Sequence, residues 1–235
     1  MTKPVLLNNI DHIDLRVDAV THNTAMGDAL MLALTYPGEF RSVQAHYPIV
    51  FHKGADGSFQ PVALFGLRES QNLFLRENRW DASYIPLAVA RQPFLIGMAD
   101  GEPVIHIDLD SPRVSHLAGE PLFREHGGTS EFLERVNSML LALHEGVNAT
   151  PAFIDTLLRH ALLETFVLDI ELDGGEQLRL AGFYVIHEER LRALSGEALA
   201  ALNAAGHLEA VYMAIASLSH LRDLIDRMNR LDAAR

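Results

Sequence analysis

The sequence predicts an α+β protein, with a β-rich part at residues 1–110 packed against a mainly helical part at 129–235 that includes one β-hairpin. Three observations support this. Short apolar segments with turn signals fill the first half, apolar residues recur at helical spacing in the second half, and a hairpin pattern interrupts the helices. Because no linker or low-complexity stretch separates the two parts, we expect a single domain over 1–235.

The first half predicts strands around one short helix. Alternating polar and apolar residues predict a half-buried strand at 11–18. Pro37 in a first turn predicts a short helix that ends near His46. Strands are predicted at 48–52 and 59–67, joined by an Asp56-Gly57 turn, and a short strand at 72–75.

The stretch from 84 to 98 carries two prolines, which suit edges and bends rather than a central strand. Asp100-Gly101 then predicts a second hairpin turn that leads into a strand at 103–109. Residues 111–128 hold several glycines and prolines, so they predict a loop.

The second half predicts helices and one hairpin. Thr129 or Ser130 caps a helix that runs to His144 and ends at Gly146, and Thr150-Pro151 predicts the start of the next helix. The remaining predicted elements are a hairpin of 166–172 and 177–186, short helices at 187–194 and 196–205, and a long helix at 208–231 with Ser217 and Ser219 in its middle.

Composition excludes several function classes. Lys+Arg number 19 and Asp+Glu 31, a net charge of −12, which argues against a nucleic-acid or anionic-membrane partner. There is no cysteine, which excludes disulfides, zinc–thiolate sites, iron–sulfur clusters and a cysteine nucleophile. We expect no signal peptide, no membrane span and a cytoplasmic location.

Aromatic residues and prolines concentrate between 47 and 94, together with the single Trp. One interpretation is the aromatic core of a curved sheet. The other is a groove for a partner protein, peptide or apolar small molecule, because partly exposed aromatics form binding hot spots. In the second interpretation the ligand-binding residues are Tyr47, Phe51, Phe65, Phe74, Trp80, Tyr84, Arg91 and Phe94.

His106 and Asp108 share one face of a predicted strand. With a distant histidine such as His187 or His126 they would form the 2-His-1-carboxylate set of non-haem iron enzymes. The alternative is a solvated strand face or a histidine hydrogen-bonded to its neighbour. Gly127 to Ser130 similarly fit either an anion site or a turn followed by a helix cap, and we favour the cap.

Motifs in the aromatic stretch resemble the SapC-like family of bacterial proteins, whose name comes from surface-layer protein export. The resemblance rests on residues 45–51, 64–67, 72–74, Trp80 with 84–86, and 91–94, and extends over about 36–228. One departure is Gln92, where the family segment is usually more basic. The resemblance implies an association with nutrient uptake, with flavin-dependent halogenase-like proteins or with surface-layer export, and it carries over no catalytic residue.

Together these observations favour a non-enzymatic accessory protein that binds its partner through the aromatic segment. The alternative is a metal-dependent enzyme that uses His106 and Asp108, and a third hypothesis is a subunit of an export system. No cofactor is indicated by a motif. The apolar last helix either completes the core or forms a dimer, and we expect a homodimer because closed twofold dimers are the commonest oligomers.

Overall fold

The computed structural model describes residues 3–99 and 101–233 and confirms the α+β class. In chain order the strands are β1 (Pro4–Leu6), β2 (Arg16–Val17), β3 (Leu32–Leu34), β4 (Ile49–Lys53), β5 (Phe59–Leu64), β6 (Leu75–Arg76), β7 (Arg79–Trp80), β8 (Phe94–Ala99), β9 (Glu102–Asp108), β10 (Val114–Ser115), β11 (Glu120–Pro121), β12 (Leu163–Glu171) and β13 (Gln177–Ile186). The α-helices are α1 (Phe40–Val43), α2 (Leu87–Ala90), α3 (Glu131–Arg159), α4 (Glu188–Arg192), α5 (Gly196–Ala204), α6 (His207–Ser217) and α7 (His220–Ala233).

The described residues divide into two units. The first unit comprises those of Met1–Asp28, Leu75–Trp80 and Leu87–Glu145. The second unit comprises those of Ala29–Phe74, Asp81–Pro86 and Gly146–Arg235. Helix α3 contributes its N-terminal half to the first unit and its C-terminal half to the second. The single-domain organisation expected from the sequence stays a prediction.

The first unit contains small antiparallel sheets. Strands β1, β9 and β8 form one sheet in that order, β10, β2 and β11 form another, and β6 pairs with β7. Its apolar core lies between these strands and α3 and consists of Leu15, Val17, Phe94, Ile107, Leu122, Leu133, Val136 and Leu140. The β8–β9 hairpin is confirmed by the pairing of Ala99 with Glu102, whereas Asp100 of its predicted turn lies outside the described residues.

The second unit is built on one five-stranded antiparallel sheet in the order β12-β13-β4-β5-β3. The predicted β4–β5 and β12–β13 hairpins are confirmed, with Val50 opposite Val62 and Leu168 opposite Leu180. The predicted short helix is also confirmed as a 3₁₀ turn at Pro37–Glu39 followed by α1. Gly57 closes the first hairpin with φ +84°, a left-handed conformation that favours glycine.

Two predicted strands and one predicted loop are corrected. Of the predicted strand at 11–18 only β2 forms, because the Asn8 side chain accepts hydrogen bonds from the backbone of Ile10 and Asp11 and holds a turn. Of the strand at 72–75 only Leu75 is extended, in β6. The predicted loop at 111–128 contains β10 and β11, which pair with both sides of β2.

The predicted helix end at Gly146 is wrong, because α3 continues through Gly146 and Pro151 to Arg159. A Cβ on Gly146 would lie 2.8 Å from the Cβ and Cγ of Tyr36, so this glycine permits a close helix approach rather than a stop. Thr150, predicted as a cap, donates instead to the Gly146 carbonyl oxygen within the helix. Ser130 is the cap, accepting from the Leu133 amide as expected.

The predicted long helix at 208–231 is two helices, α6 and α7, separated at 218–219. Both serines were expected in mid-helix, but Ser217 is the last residue of α6 and Ser219 lies in the break. The Ser217 hydroxyl donates to the Ala214 carbonyl oxygen and accepts from the Ile49 amide, which ties the end of α6 to β4. Among the described residues no individual helix has the length and apolarity to cross a membrane; the bent pair Gly196–Ala204 and His207–Ala233 meets those criteria only when combined.

Candidate functional site

The predicted ligand-binding rings are distributed over both units and are mostly buried. Tyr47, Phe51, Phe65 and Phe74 lie in the second unit, and Trp80 and Phe94 in the first. All six are buried, which favours the aromatic-core interpretation. Their contact with a ligand stays a prediction. Arg91, in the first unit, donates to the carbonyl oxygen of Phe94 at 2.7 Å.

In the second unit these rings pack edge to face. The Tyr47 centroid lies 5.2 Å from Phe65 and 4.7 Å from Phe74. Phe51 contacts Phe153 of α3 at 6.3 Å. The edge-to-face Tyr47 pairs add to the hydrophobic stabilisation of the core, and the tilted Phe51–Phe153 pair joins α3 to β4.

A buried carboxylate lies beside the aromatic cluster. Glu39 accepts hydrogen bonds from the Thr35 hydroxyl at 2.8 Å and from the Tyr84 hydroxyl at 2.9 Å. The Tyr47 hydroxyl donates to the Tyr84 carbonyl oxygen. Burial and the negative charge of Glu39 raise the pKa of Tyr84, so its hydroxyl stays a donor at neutral pH. The network anchors Tyr84, the one aromatic residue of the predicted set that is only partly buried.

The first unit holds a buried charged cluster that the sequence did not reveal. Arg113 donates through Nη2 to both carboxylate oxygens of Asp28, at 2.8 and 2.7 Å. His22 Nδ1 lies 3.1 Å from the same carboxylate, and its ring meets Trp80 edge to face at 5.7 Å. Arg113 Nη1 also donates to the carbonyl oxygens of Asp18 and Thr21. The cluster therefore ties the 18–28 segment to the start of β10.

The two residues of the metal hypothesis have structural contacts in the first unit. The His106 ring lies directly on Gly97, where a Cβ would come within 2.1 Å of the imidazole. Asp108 accepts from the backbone amides of Lys3 and Asp110. His187, one suggested third ligand, belongs to the second unit, where its Nδ1 lies 3.9 Å from Oε2 of Glu164. Across 3–99 and 101–233 no group of three or more His, Asp or Glu side chains is placed to hold a metal ion.

An apolar groove of about 380 Å³ lies in the second unit, between α3 and the strand pair β3–β5. Three of its side chains are large, apolar and substantially exposed: Leu34 at 38%, Val147 at 47% and Leu158 at 47%. The volume is in the range of small binding sites, but half-exposed walls mark an open groove rather than an enclosed cavity. Phe59, Pro61, Pro151 and Ile154 complete the apolar wall.

Local sequence determines the shape of this groove. Gly146 lets α3 approach Tyr36, so the helix lies close to the strand pair at one end of the groove. On the same helix the buried Phe153, which precedes groove-lining Ile154, packs against Phe51 of β4. Strand β3 is the terminal strand of its sheet as described, so no further strand lies beyond Leu34.

The polar groups of the groove include hydrogen-bond acceptors and one acidic side chain. Pro151 has no N–H, so the carbonyl oxygen of Val147 lacks its usual partner four residues later. Asp155 contributes an exposed carboxylate, and Gln60 and Ser58 contribute side-chain oxygens. The arrangement suits a partner with apolar side chains, N–H donors and a positive charge.

Sequence reasoning did not identify this groove. The local pattern within it, the Thr150-Pro151 pair, was interpreted as the start of a separate helix. The groove depends on α3 being continuous. Because the groove residues of α3 follow those of β3 and β5 by roughly a hundred positions, no local pattern brings the helix and the strands together.

Comparison with protein families matches the SapC family model over residues 7–224 of the 235-residue chain, as the sequence resemblance predicted. No curated protein and no solved structure matches the chain.

Proposed function

The chain belongs to the SapC family, and from that premise we propose that it is an accessory binding protein whose groove between α3 and the β3–β5 pair holds a polypeptide segment. The observation that carries the proposal is the exposure of Leu34 on the strand side of the groove and of Val147 and Leu158 on its helix side. Burying such side chains against a partner is favourable by roughly 25 cal/mol per Å² of apolar surface.

The occupant is an extended segment with apolar side chains and a flanking lysine or arginine. An open groove accommodates side chains of a longer chain, whereas a small molecule would leave much of its own surface in water. The carboxylate of Asp155 and the net charge of −12 favour a basic partner.

A defined peptide tests this proposal. The probe is a fluorescein-labelled peptide of alternating valine and threonine flanked by lysines, and its charge control has glutamates in place of the lysines. We expect a saturable rise in fluorescence anisotropy with the lysine peptide and a weaker one with the glutamate peptide. Leu158→Gln should weaken binding about 10-fold, because an apolar contact worth roughly 1–2 kcal/mol is lost.

Leu141→Gln is the matched control. Leu141 is 52% exposed on the same helix but does not line the groove, so this variant should bind like the wild type. Asp155→Asn should reduce the preference for the lysine peptide. Equal binding by the Leu158 and Leu141 variants would contradict the proposal. If the neutral dye Nile red bound and neither peptide did, the proposed polypeptide occupant would be wrong and the groove would instead bind a small apolar ligand.

A further inference from the structure

A serine and a histidine 37 positions apart meet at the surface of the second unit. The Ser83 hydroxyl oxygen lies 2.8 Å from His46 Nε2. Ser83 is exposed and His46 is half-buried at the end of the turn that follows α1. This distance is that of a serine nucleophile and its general base. Neither residue takes part in the groove.

The loop that carries Ser83 is held on both sides. On one side the Asp81 amide donates to the Phe74 carbonyl oxygen, and the Asp81 carboxylate accepts from Arg227 at 2.7 Å. On the other side Tyr84 is held by Glu39 and Tyr47. An exposed hydroxyl on a rigidly supported loop is the usual setting of a reactive side chain.

His46 is in the protonation state that a base needs. Burial lowers the pKa of His46, and the neighbouring His220 lowers it further. His220 is itself paired with Asp223 through Nδ1 at 2.6 Å and with the Gln44 carbonyl oxygen through Nε2 at 3.1 Å. On the loop side, Asp81 is neutralised by Arg227. The imidazole is therefore neutral at pH 7, and in the tautomer protonated on Nδ1 its Nε2 accepts the hydrogen bond of the serine hydroxyl.

The loop also provides donors for a developing negative charge. Within the described ranges the backbone N–H groups of Ser83 and Tyr84 donate to no backbone carbonyl oxygen. Free amides next to a nucleophile are the groups that stabilise the oxyanion of an acyl-transfer intermediate.

We propose that Ser83 and His46 form a nucleophile–base pair that accepts an acyl group from a carboxylic ester, independently of the binding groove. The Ser83 oxygen bonds to the ester carbonyl carbon while its proton passes to His46 Nε2. The carbon–alkoxide bond then breaks, and the alkoxide leaves with that proton as an alcohol. Water activated by His46 cleaves the acyl-serine to a carboxylic acid and restores the hydroxyl.

A fluorophosphonate probe tests the pair directly, because it forms a stable adduct only with an activated serine. We expect one adduct on the intact protein, mapped by mass spectrometry to the peptide containing Ser83, and none in Ser83→Ala. His46→Gln retains a hydrogen-bonding side chain without the base, so labelling should slow about 100-fold or more. Ser138→Ala, at an exposed serine bonded to the Glu134 carbonyl oxygen, should label like the wild type.

The pH profile separates a base from a structural role. Labelling should rise with pH to a plateau with a midpoint below about 6.5, the ordinary histidine value. His220→Asn should move the midpoint upward, because one cause of the lowered His46 pKa is removed. A wild-type protein that is folded by circular dichroism yet unlabelled at Ser83, or equal labelling of His46→Gln and wild type, would overturn the proposal.

A cysteine variant keeps the test decisive if His46→Gln does not fold. The chain has no cysteine, so Ser83→Cys introduces a single thiol. Because this thiol lies beside His46, the rate of its alkylation by iodoacetamide should rise with pH with a midpoint below about 8.5, the ordinary pKa of a cysteine. Ser138→Cys should titrate near that ordinary value. Identical profiles for the two variants would likewise reject the pair.

Discussion

The two units differ in the buried cluster that supplements the apolar core of each. In the first unit Asp28 and Arg113 are buried and joined by directed, charge-assisted hydrogen bonds. In the second, Tyr47, Phe65 and Phe74 pack edge to face around an apolar sheet. A charged pair requires both of its partners, because a single buried charge is costly, whereas an aromatic cluster responds to changes of volume and shape. The first unit therefore contains a cluster that is sensitive to charge deletion, and the second contains one that is sensitive to packing.

The largest expected effect comes from Arg113→Met, which leaves the Asp28 carboxylate buried without its cation. We expect a loss of about 3–5 kcal/mol in the free energy of unfolding, measured by urea denaturation. The control is Arg124→Met, which removes an exposed arginine whose Nη2 lies 3.8 Å from Oε1 of Glu134. It should lower the free energy of unfolding by less than about 1 kcal/mol. Similar losses in the two variants would mean that the buried pair is not what organises the first unit.

A smaller effect tests packing in the second unit. Gly146→Ala directs a methyl group at Tyr36, and overpacking of this kind costs about 1–3 kcal/mol, partly offset by roughly 1 kcal/mol of helix propensity. The net loss in thermal or urea unfolding should be about 1 kcal/mol. Gly196→Ala, where nothing lies within 4 Å, should be neutral or slightly stabilising. If both variants were stabilising, the close approach of α3 would not depend on Gly146.

The smallest expected effect is a difference between the two units in how their stability depends on pH. Burial lowers the pKa of His46 and His207 in the second unit, so the unfolded chain binds protons more readily than the folded one. The contribution of these two neutral histidines to the free energy of unfolding is therefore complete above about pH 6.5, and it decreases as the pH falls below that value. In the first unit, burial opposes ionisation of Asp18, but hydrogen bonds from Thr21 and Val20 and the charge of Arg113 lower its pKa overall. That contribution persists until the pH approaches 3.8.

Hydrogen exchange at pH 7.0 and 5.5, corrected for the intrinsic exchange rate, measures this difference. As the pH is lowered, the protection of backbone amides from exchange should decrease in the second unit before it decreases in the first. Replacing His46 and His207 together by glutamine should abolish the pH dependence there. An equal decrease in both units of the wild type would contradict the assignment to these two histidines.

Local patterns predicted the fold better than the sites. Asp56-Gly57 and the 173–175 turn specify hairpins through backbone conformation alone, and both hairpins form. The helix start predicted at Thr150-Pro151 was wrong. A proline favours the first turn of a helix, but tertiary packing keeps α3 continuous through Pro151. The groove, the Ser83–His46 pair and the Asp28–Arg113 pair join residues distant in sequence, so periodicity contains no information about them. The expected homodimer and cytoplasmic location stay predictions.

The alternation of the two units along the chain has a consequence for biosynthesis. The first unit has all its segments once Glu145 has left the ribosome, whereas the second also needs the stretch that follows. That stretch takes roughly 5–20 s to translate. During this interval β4 lacks its neighbour β13, so the backbone of Phe51 and His52 lacks its pairing to Tyr184 and Phe183. A nascent chain with such an unpaired strand edge is exposed to aggregation, and we expect its yield in cells to depend on chaperones that bind before translation ends.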